Sequence, residues 1–423
     1  MINQRKIALD ALIAVNDNLA YSNLALQKAF ASSGVTGKDK PFITALFYGV
    51  LDRKLTLDYI ISRFVSKSVN KIKPITINSL RIAVFQILFM DKVPDSAAVN
   101  ESVDIVKRSK EKYNASFVNA VLRSLLREGA GLPGGNSVHS LSIRYSCPEW
   151  IINSLISDYG EKTTIKLLEH FLTVPDITVR VNTTVVTEKE FIEKMSGESV
   201  AVGRADVPGA FNLKYGTDIK ALDCYKNGLF YVQDIQSQTA VLKLNVVRGE
   251  RVLDMCAAPG GKTFLAAITS DNGAHITSCD FYENRVNLIK QGAKRLKLQN
   301  IDFRVCDSCD YYSELGNFDV VICDVPCSGF GVIRRKPEIK YKTDIDLDEL
   351  KNTQTAIINN AVNYLKPNGR ILYSTCTLRK AENQDIVRAF LDKHGDFELK
   401  YEHTFLPDVK KVDGFYYAVI KSR

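Results

Sequence analysis

The chain has 423 residues, 45% of them hydrophobic and 25% charged, with 24 Gly and 12 Pro, which excludes collagen-like, low-complexity and disordered classes and leaves room for two or three domains. The net charge of +8 is concentrated in residues 1–130, which carry 19 Lys and Arg against 11 Asp and Glu, while the remaining 37 of each sign cancel; such a bias suits an acidic partner such as nucleic acid, with a solvated helical surface as the plainer alternative. The apolar runs stop far short of the roughly 20 residues a membrane span needs, the N-terminus lacks the pattern of a secretory leader, and the nine cysteines do not suggest a disulfide framework, so a cytoplasmic chain with no membrane partner is expected.

In chain order, apolar residues at three- and four-residue steps (Ile7, Leu12, Val15, Leu19, Leu24, Leu26, Phe30) predict a helix over 5–30, broken by Ser32-Ser33-Gly34. Further helices are expected over 39–64, 75–90, 96–107 and 115–128, with Pro74 and Pro94 as punctuation. Residues 1–130 therefore read as an all-helical domain. The Gly-rich stretch 129–137 reads as a link. Residues 138–245 mix helical segments at 148–159 and 161–171 with short β runs such as 177–181, which predicts a small α+β domain. From 246 to 423, β runs at 251–253, 275–279, 301–305, 319–323 and 370–373 alternate with helical segments, the pattern of a parallel, doubly wound α/β sheet.

The strongest local signal is Asp254-Met255-Cys256-Ala257-Ala258-Pro259-Gly260-Gly261-Lys262-Thr263, a strand end, a loop of small residues and a helix start. Backbone can approach a ligand closely there, at the carboxyl edge where such sheets bind ligands. As a phosphate loop the stretch fails, because Cys256 occupies the place of the first required glycine. A nucleoside cofactor fits better: Asp280, Asp307 and Asp324 follow the next three strands, and an acidic residue at a strand end suits ribose hydroxyls. The missing second glycine set disfavours nicotinamide or flavin.

Two cysteines stand at the same edge, in Asp324-Val325-Pro326-Cys327-Ser328-Gly329 and Tyr373-Ser374-Thr375-Cys376-Thr377. A thiolate is the group needed to add to C6 of a pyrimidine and make C5 nucleophilic enough to take a methyl group, with a second group helping to expel the thiol. Chemistry alone leaves Cys327 and Cys376 as equal candidates for the attack, and a small buried hydrophobe is the plain alternative for either. Cys306-Asp307-Ser308-Cys309 has no second pair to answer it, so no metal is expected.

With these motifs, and with Val93-Pro94-Asp95-Ser96-Ala97-Ala98-Val99-Asn100-Glu101 near the start, the chain resembles the family of RNA cytosine-C5 methyltransferases that includes bacterial 16S ribosomal RNA enzymes, over essentially its whole length. The resemblance implies a NusB-like helical RNA-binding domain, an RNA-binding middle domain and a Rossmann-like methyltransferase domain that uses S-adenosylmethionine. It implies Cys376 as nucleophile, Cys327 as the residue assisting release, and Asp324 on the cytosine N3 edge. It implies a cofactor site from Cys256, Ala257, Ala258, Pro259, Gly260, Gly261, Lys262, Asp280, Asp307 and Asp324, with 16S ribosomal RNA as partner and a monomer without an obligate protein partner. Arg334-Arg335-Lys336 is expected on RNA phosphates. Two departures are Thr377, where the family often has Ser, and Cys306 and Ser308, where Gly and Ala are common beside the Asp. A non-catalytic NusB-like antitermination factor is the alternative from another class.

Overall fold

The structure, a computed structural model, describes residues 3–18, 22–35, 37–214, 216–342, 346–407 and 412–423. The chain divides into two units, Met1–Thr173 with Ile333–Thr343, and Val174–Val332 with Asp344–Arg423.

The first unit is built from helices α1 (Gln4–Asn18), α2 (Ser22–Ser33), α3 (Lys40–Asp52), α4 (Lys54–Ser62), α5 (Pro74–Phe89), α6 (Asp95–Lys107), α7 (Ala115–Glu128), α8 (Val138–Tyr145), α9 (Glu149–Tyr159) and α10 (Glu161–Phe171). In α7, Val118, Val121, Leu122 and Leu125 are buried at helical spacing, and the helix ends at Gly129 with φ 77°. Helix α5 buries every residue from Thr76 to Gln86. Its N-terminus is capped from a distance by the buried Glu111, whose carboxylate accepts from the N–H groups of Ile75 (3.2 Å) and Thr76 (2.8 Å) and from Thr76 Oγ1 (2.7 Å).

The single helices expected at 5–30 and 39–64 are each a pair. In the second case the buried positions Ile43, Phe47, Val50, Leu57 and Ile61 keep helical spacing through the break, so the pattern carried no sign of it. The break lies in the backbone of Arg53 (φ −111°, ψ 18°), whose guanidinium sits 4.1 Å from the Phe89 ring centroid. Helices α8 to α10, read as part of the middle domain, fold with the first unit. So does Ile333–Thr343, and Arg334 is only 5% exposed there, within reach of Thr173 Oγ1 (3.4 Å). Of the basic triplet expected on RNA phosphates, Lys336 alone is exposed.

The second unit opens with a small antiparallel sheet and its helices: β1 (Ile177–Val181), α11 (Glu188–Gly197), β2 (Val202–Arg204), β3 (Ala210–Leu213), α12 (Asp223–Lys226) and β4 (Phe230–Val232), in sheet order β2-β3-β1-β4. Thr187 and Glu190 form a capping box that starts α11. Phe191 and Met195 of that helix pack on Val179, Val181, Phe211 and Phe230.

The larger sheet follows: α13 (Ile235–Leu242), β5 (Arg251–Asp254), α14 (Gly261–Thr269), β6 (His275–Asp280), α15 (Glu283–Arg295), β7 (Ile301–Val305), β8 (Phe318–Asp324), α16 (Leu347–Ala361), β9 (Leu365–Thr375), α17 (Gln384–Lys393), β10 (Phe397–Phe405) and β11 (Phe415–Ser422). Strand order is β10-β11-β9-β8-β5-β6-β7. The five strands β5 to β9 are parallel, as expected. The sheet as a whole is mixed, because β11 runs antiparallel to both β9 and β10; β10 and β11, consecutive in the chain and antiparallel neighbours, form a hairpin. Alternate residues face opposite layers: Val252, Val320, Ile322 and Leu372 meet α13 and α14, whereas Leu253, Val321, Ile371 and Tyr373 meet α16 and α17.

Asn182, fully buried, ties the small sheet to the large one. Its Nδ2 donates to the carbonyls of Gly228 (3.2 Å) and Leu296 (2.7 Å), and its Oδ1 accepts from Thr184 Oγ1 (2.7 Å). Asn182→Ala strands those buried carbonyls and is expected to cost about 2 kcal/mol, read by calorimetry as a lower melting temperature; an unchanged melting temperature would show that the link contributes nothing.

Candidate active site

The chain leaves β5 for β6 and β7 on one side and returns to β8 on the other, so the ends of β5 and β8 part at the switch point where such sheets hold ligands. Asp254 ends β5 and is fully buried. Its Oδ2 accepts from Thr263 Oγ1 (2.7 Å), its Oδ1 has no hydrogen-bond partner, and burial pushes its carboxyl up to about 7. The loop turns into α14 through Gly260, whose φ of 107° suits glycine, and a Cβ there would lie 2.3 Å from the Phe264 ring.

Around this loop the structure gathers the expected carboxylates. Asp280 is 2% exposed and accepts from the Ala258 N–H (3.1 Å), and Arg285 pairs with it at 3.3 Å. Asp307 accepts from the Cys309 N–H (2.9 Å). Asp324 Oδ2 meets Lys262 Nζ at 2.6 Å, and its Oδ1 accepts from Ser374 Oγ (2.8 Å). Lys262 is therefore a buried partner of Asp324, and its ammonium lies 5.4 Å from the Phe415 ring centroid. The donor set fits S-adenosylmethionine: carboxylates at three strand ends can accept from ribose hydroxyls and attract a positive group, the N–H groups opening α14 can meet a carboxylate, and Asp254 Oδ1 is a buried acceptor still unused.

Cys327 and Cys376, from loops after different strands, meet with their sulfurs 3.2 Å apart, both partly exposed. The hydrogen bond with Cys376 and burial hold the Cys327 thiol well above its ordinary value. Two other cysteines lie at this edge, where burial raises Cys256 to about 12 and holds Cys323 well above its ordinary value.

The anchor of the two cysteine loops is Glu382, fully buried. Its carboxylate accepts from Ser328 N–H (2.9 Å) and Oγ (2.5 Å) on the first loop, from Arg379 (3.2 Å) beyond the second, and from Gln354 Nε2 (3.0 Å) on α16. The Thr377 hydroxyl lies 2.8 Å from Ser328 Oγ, so the departure from Ser keeps a working hydroxyl. Ser308 is also in use, donating to the Met255 carbonyl at 2.5 Å. The loops cross at Gly331, whose N–H donates to the Cys376 carbonyl (2.9 Å), and a Cβ there would lie 2.0 Å from the Gly414 carbonyl oxygen. Sequence reasoning gave no role to Glu382, Gln354, Arg285 or Gly414. The pair Glu382-Asn383, which fits the family resemblance, was the available signal for the first of them.

Comparison with known proteins agrees with this architecture. The model of the "16S rRNA methyltransferase RsmB/F" family matches residues 241–421, that of the NusB family residues 2–127, and that of the ferredoxin-like domain of RsmF/B-like methyltransferases residues 147–220. The Bacillus subtilis protein named "Probable ribosomal RNA small subunit methyltransferase B" is 37% identical, over 93% of this chain and 89% of its own length. The Klebsiella pneumoniae ribosomal RNA small subunit methyltransferase B is 30% identical, over 100% of this chain and 99% of its own. A methyltransferase homologue from Pyrococcus horikoshii of known structure superposes with a TM-score of 0.61 at 25% identity, covering 69% of this chain and all of that one. A helical NusB-type domain, a ferredoxin-like domain and a methyltransferase sheet thus lie on one polypeptide, and the chain belongs to the RsmB/F family of methyltransferases.

Proposed function

We propose that the protein methylates C5 of a specific cytosine in 16S ribosomal RNA, using S-adenosylmethionine, through a covalent bond between Cys376 and C6 of the base. The observation that carries this reading is the pair of thiols 3.2 Å apart beside Asp324 at the sheet edge. Family membership disfavours the non-catalytic antitermination alternative.

In the proposed reaction the Cys376 thiolate bonds to C6 and the C5–C6 π pair moves to C5, which takes the methyl group. Loss of the C5 proton to a base returns that pair to the ring and breaks the C6–S bond. The Cys327 thiol, which keeps its proton well above neutrality, is placed to protonate the departing sulfur. The order of the two thiols, Cys376 attacking and Cys327 assisting release, is the one the family resemblance implies. Asp324, held by Lys262 and Ser374, is placed to hydrogen-bond the N3 edge of the cytosine and stabilise charge as the adduct forms.

S-adenosylmethionine supplies an electrophilic methyl group on a sulfonium, and Cys256 to Lys262 with Asp280, Asp307 and Asp324 would hold it. The target cytosine must leave its stack to reach the thiols, with the small sheet as guide and the basic helical domain on RNA phosphates. Among the described residues no helix is long and apolar enough to cross a membrane. A cytoplasmic monomer is the proposed working form.

Cys376→Ala is expected to end methyl transfer and leave RNA affinity unchanged, and retained turnover would remove Cys376 from the mechanism. Cys327→Ala is expected to accumulate a protein–RNA adduct that survives a denaturing gel; absence of that band would argue against the division of labour. Glu382→Gln weakens the anchor of both loops and should lower kcat at least tenfold, a barrier rise of about 1.4 kcal/mol, with KM for RNA and melting temperature little changed. Equal loss in kcat and melting temperature would make Glu382 structural only.

A further inference from the structure

Beyond their shared anchor, the two cysteine loops are held by different amides. Cys376 stands between Thr375 and Thr377, both fully buried, and the fully buried Asn383 grips each of them. Its Oδ1 accepts from Thr375 Oγ1 (2.5 Å) and its Nδ2 donates to the Thr377 carbonyl (3.1 Å). The Thr377 N–H donates to Thr375 Oγ1 (3.4 Å), so one side chain closes a ring around the turn that carries the sulfur. Asn383 is itself fixed at the start of α17: its N–H donates to the Lys380 carbonyl (3.1 Å), and its carbonyl accepts from the Val387 N–H (3.2 Å). Ile386, Val387 and Phe390 of that helix are seated in the core.

Cys327 is held from another helix. Gln354 of α16 is fully buried, and its Nε2 donates to the Pro326 carbonyl (2.9 Å), one residue before the cysteine. The same Nε2 donates to Glu382 (3.0 Å), which accepts from the Ser328 N–H (2.9 Å), one residue after it. The bonds of Asn383 therefore flank Cys376, and those of Gln354 flank Cys327. Attack on a ring carbon depends steeply on the distance and line of approach, so fixing the backbone on both sides of a sulfur bears on rate as well as on stability.

We propose that Asn383 is the positioning residue for attack and Gln354 the positioning residue for release: Asn383 aims Cys376 at C6 of the base, and Gln354 keeps Cys327 beside the departing sulfur. The assignment rests on the covalent mechanism proposed above and divides its two steps between two buried amides. Loss of either slows turnover, but the amount of protein–RNA adduct moves in opposite directions.

The test uses the full chain, S-adenosylmethionine and unmodified 16S ribosomal RNA, with the adduct read on a denaturing gel. In a Cys327→Ala background, which accumulates the adduct, Asn383→Ala should slow its single-turnover formation about tenfold or more. Thr375→Val, which keeps the shape and removes the hydroxyl, should do the same and carries the test if Asn383→Ala does not fold; Thr375→Ser should restore the rate. The two changes together should slow it no more than either alone, because they break one link. With both cysteines present, Gln354→Met should lower kcat and raise the steady-state adduct severalfold. A merely structural role would lower the melting temperature and the amount of active protein and leave the single-turnover rate constant unchanged. Parental adduct rates in Asn383→Ala and Thr375→Val, or no rise in adduct in Gln354→Met, would overturn the assignment and leave the covalent mechanism standing. Absence of any adduct in Cys327→Ala with Asn383 intact would instead remove that mechanism, and the assignment with it.

Discussion

A charged carboxylate without access to water is costly unless donors occupy its oxygens, and Glu382 meets that condition by drawing three chain segments to one point. Ser328 brings the loop after β8, Arg379 the chain beyond β9, and Gln354 the helix α16. Because Cys327 and Cys376 stand one residue before Ser328 and Thr377, this anchor fixes where the two sulfurs meet. The Gly331 crossing closes the same arrangement from the other side, where a side chain has no room. The proposed chemistry of two thiols on one pyrimidine thus depends on a residue that need not touch the substrate.

Much of the site was legible because its parts are local. The small-residue loop from Cys256 to Lys262, the Asp at each strand end and the two cysteine motifs are short stretches whose chemistry can be read without a fold. The structure joins them through the parallel sheet, and the pair of Lys262 with Asp324 is a consequence of β5 and β8 being neighbours. Glu382 was not legible in the same way, since a buried Glu and a surface Glu look alike in a sequence.

The fold followed the same rule. Helix α7 and strand β1 are signalled by their own residues, and they lie where the pattern puts them. The break at Arg53 is set by backbone torsion under an uninterrupted apolar rhythm. The hairpin of β10 and β11 was missed because β10 is an exposed edge strand rich in charge, the kind of sequence that blunts an edge and hides a strand. That α8 to α10 and Arg334 pack with the helices of the first unit depends on contacts between distant segments, which no local pattern records and which leave the expected domain bounds open.

The central claim is methylation of C5 on one cytosine of the small-subunit RNA. The most direct measurement is transfer of labelled methyl from S-adenosylmethionine to protein-free, unmodified 16S ribosomal RNA, with bisulfite mapping of protected cytosines. The account predicts stoichiometric transfer and a single protected cytosine. Label recovered on another base or on an exocyclic nitrogen, or no transfer to either free RNA or assembled subunits, would contradict it.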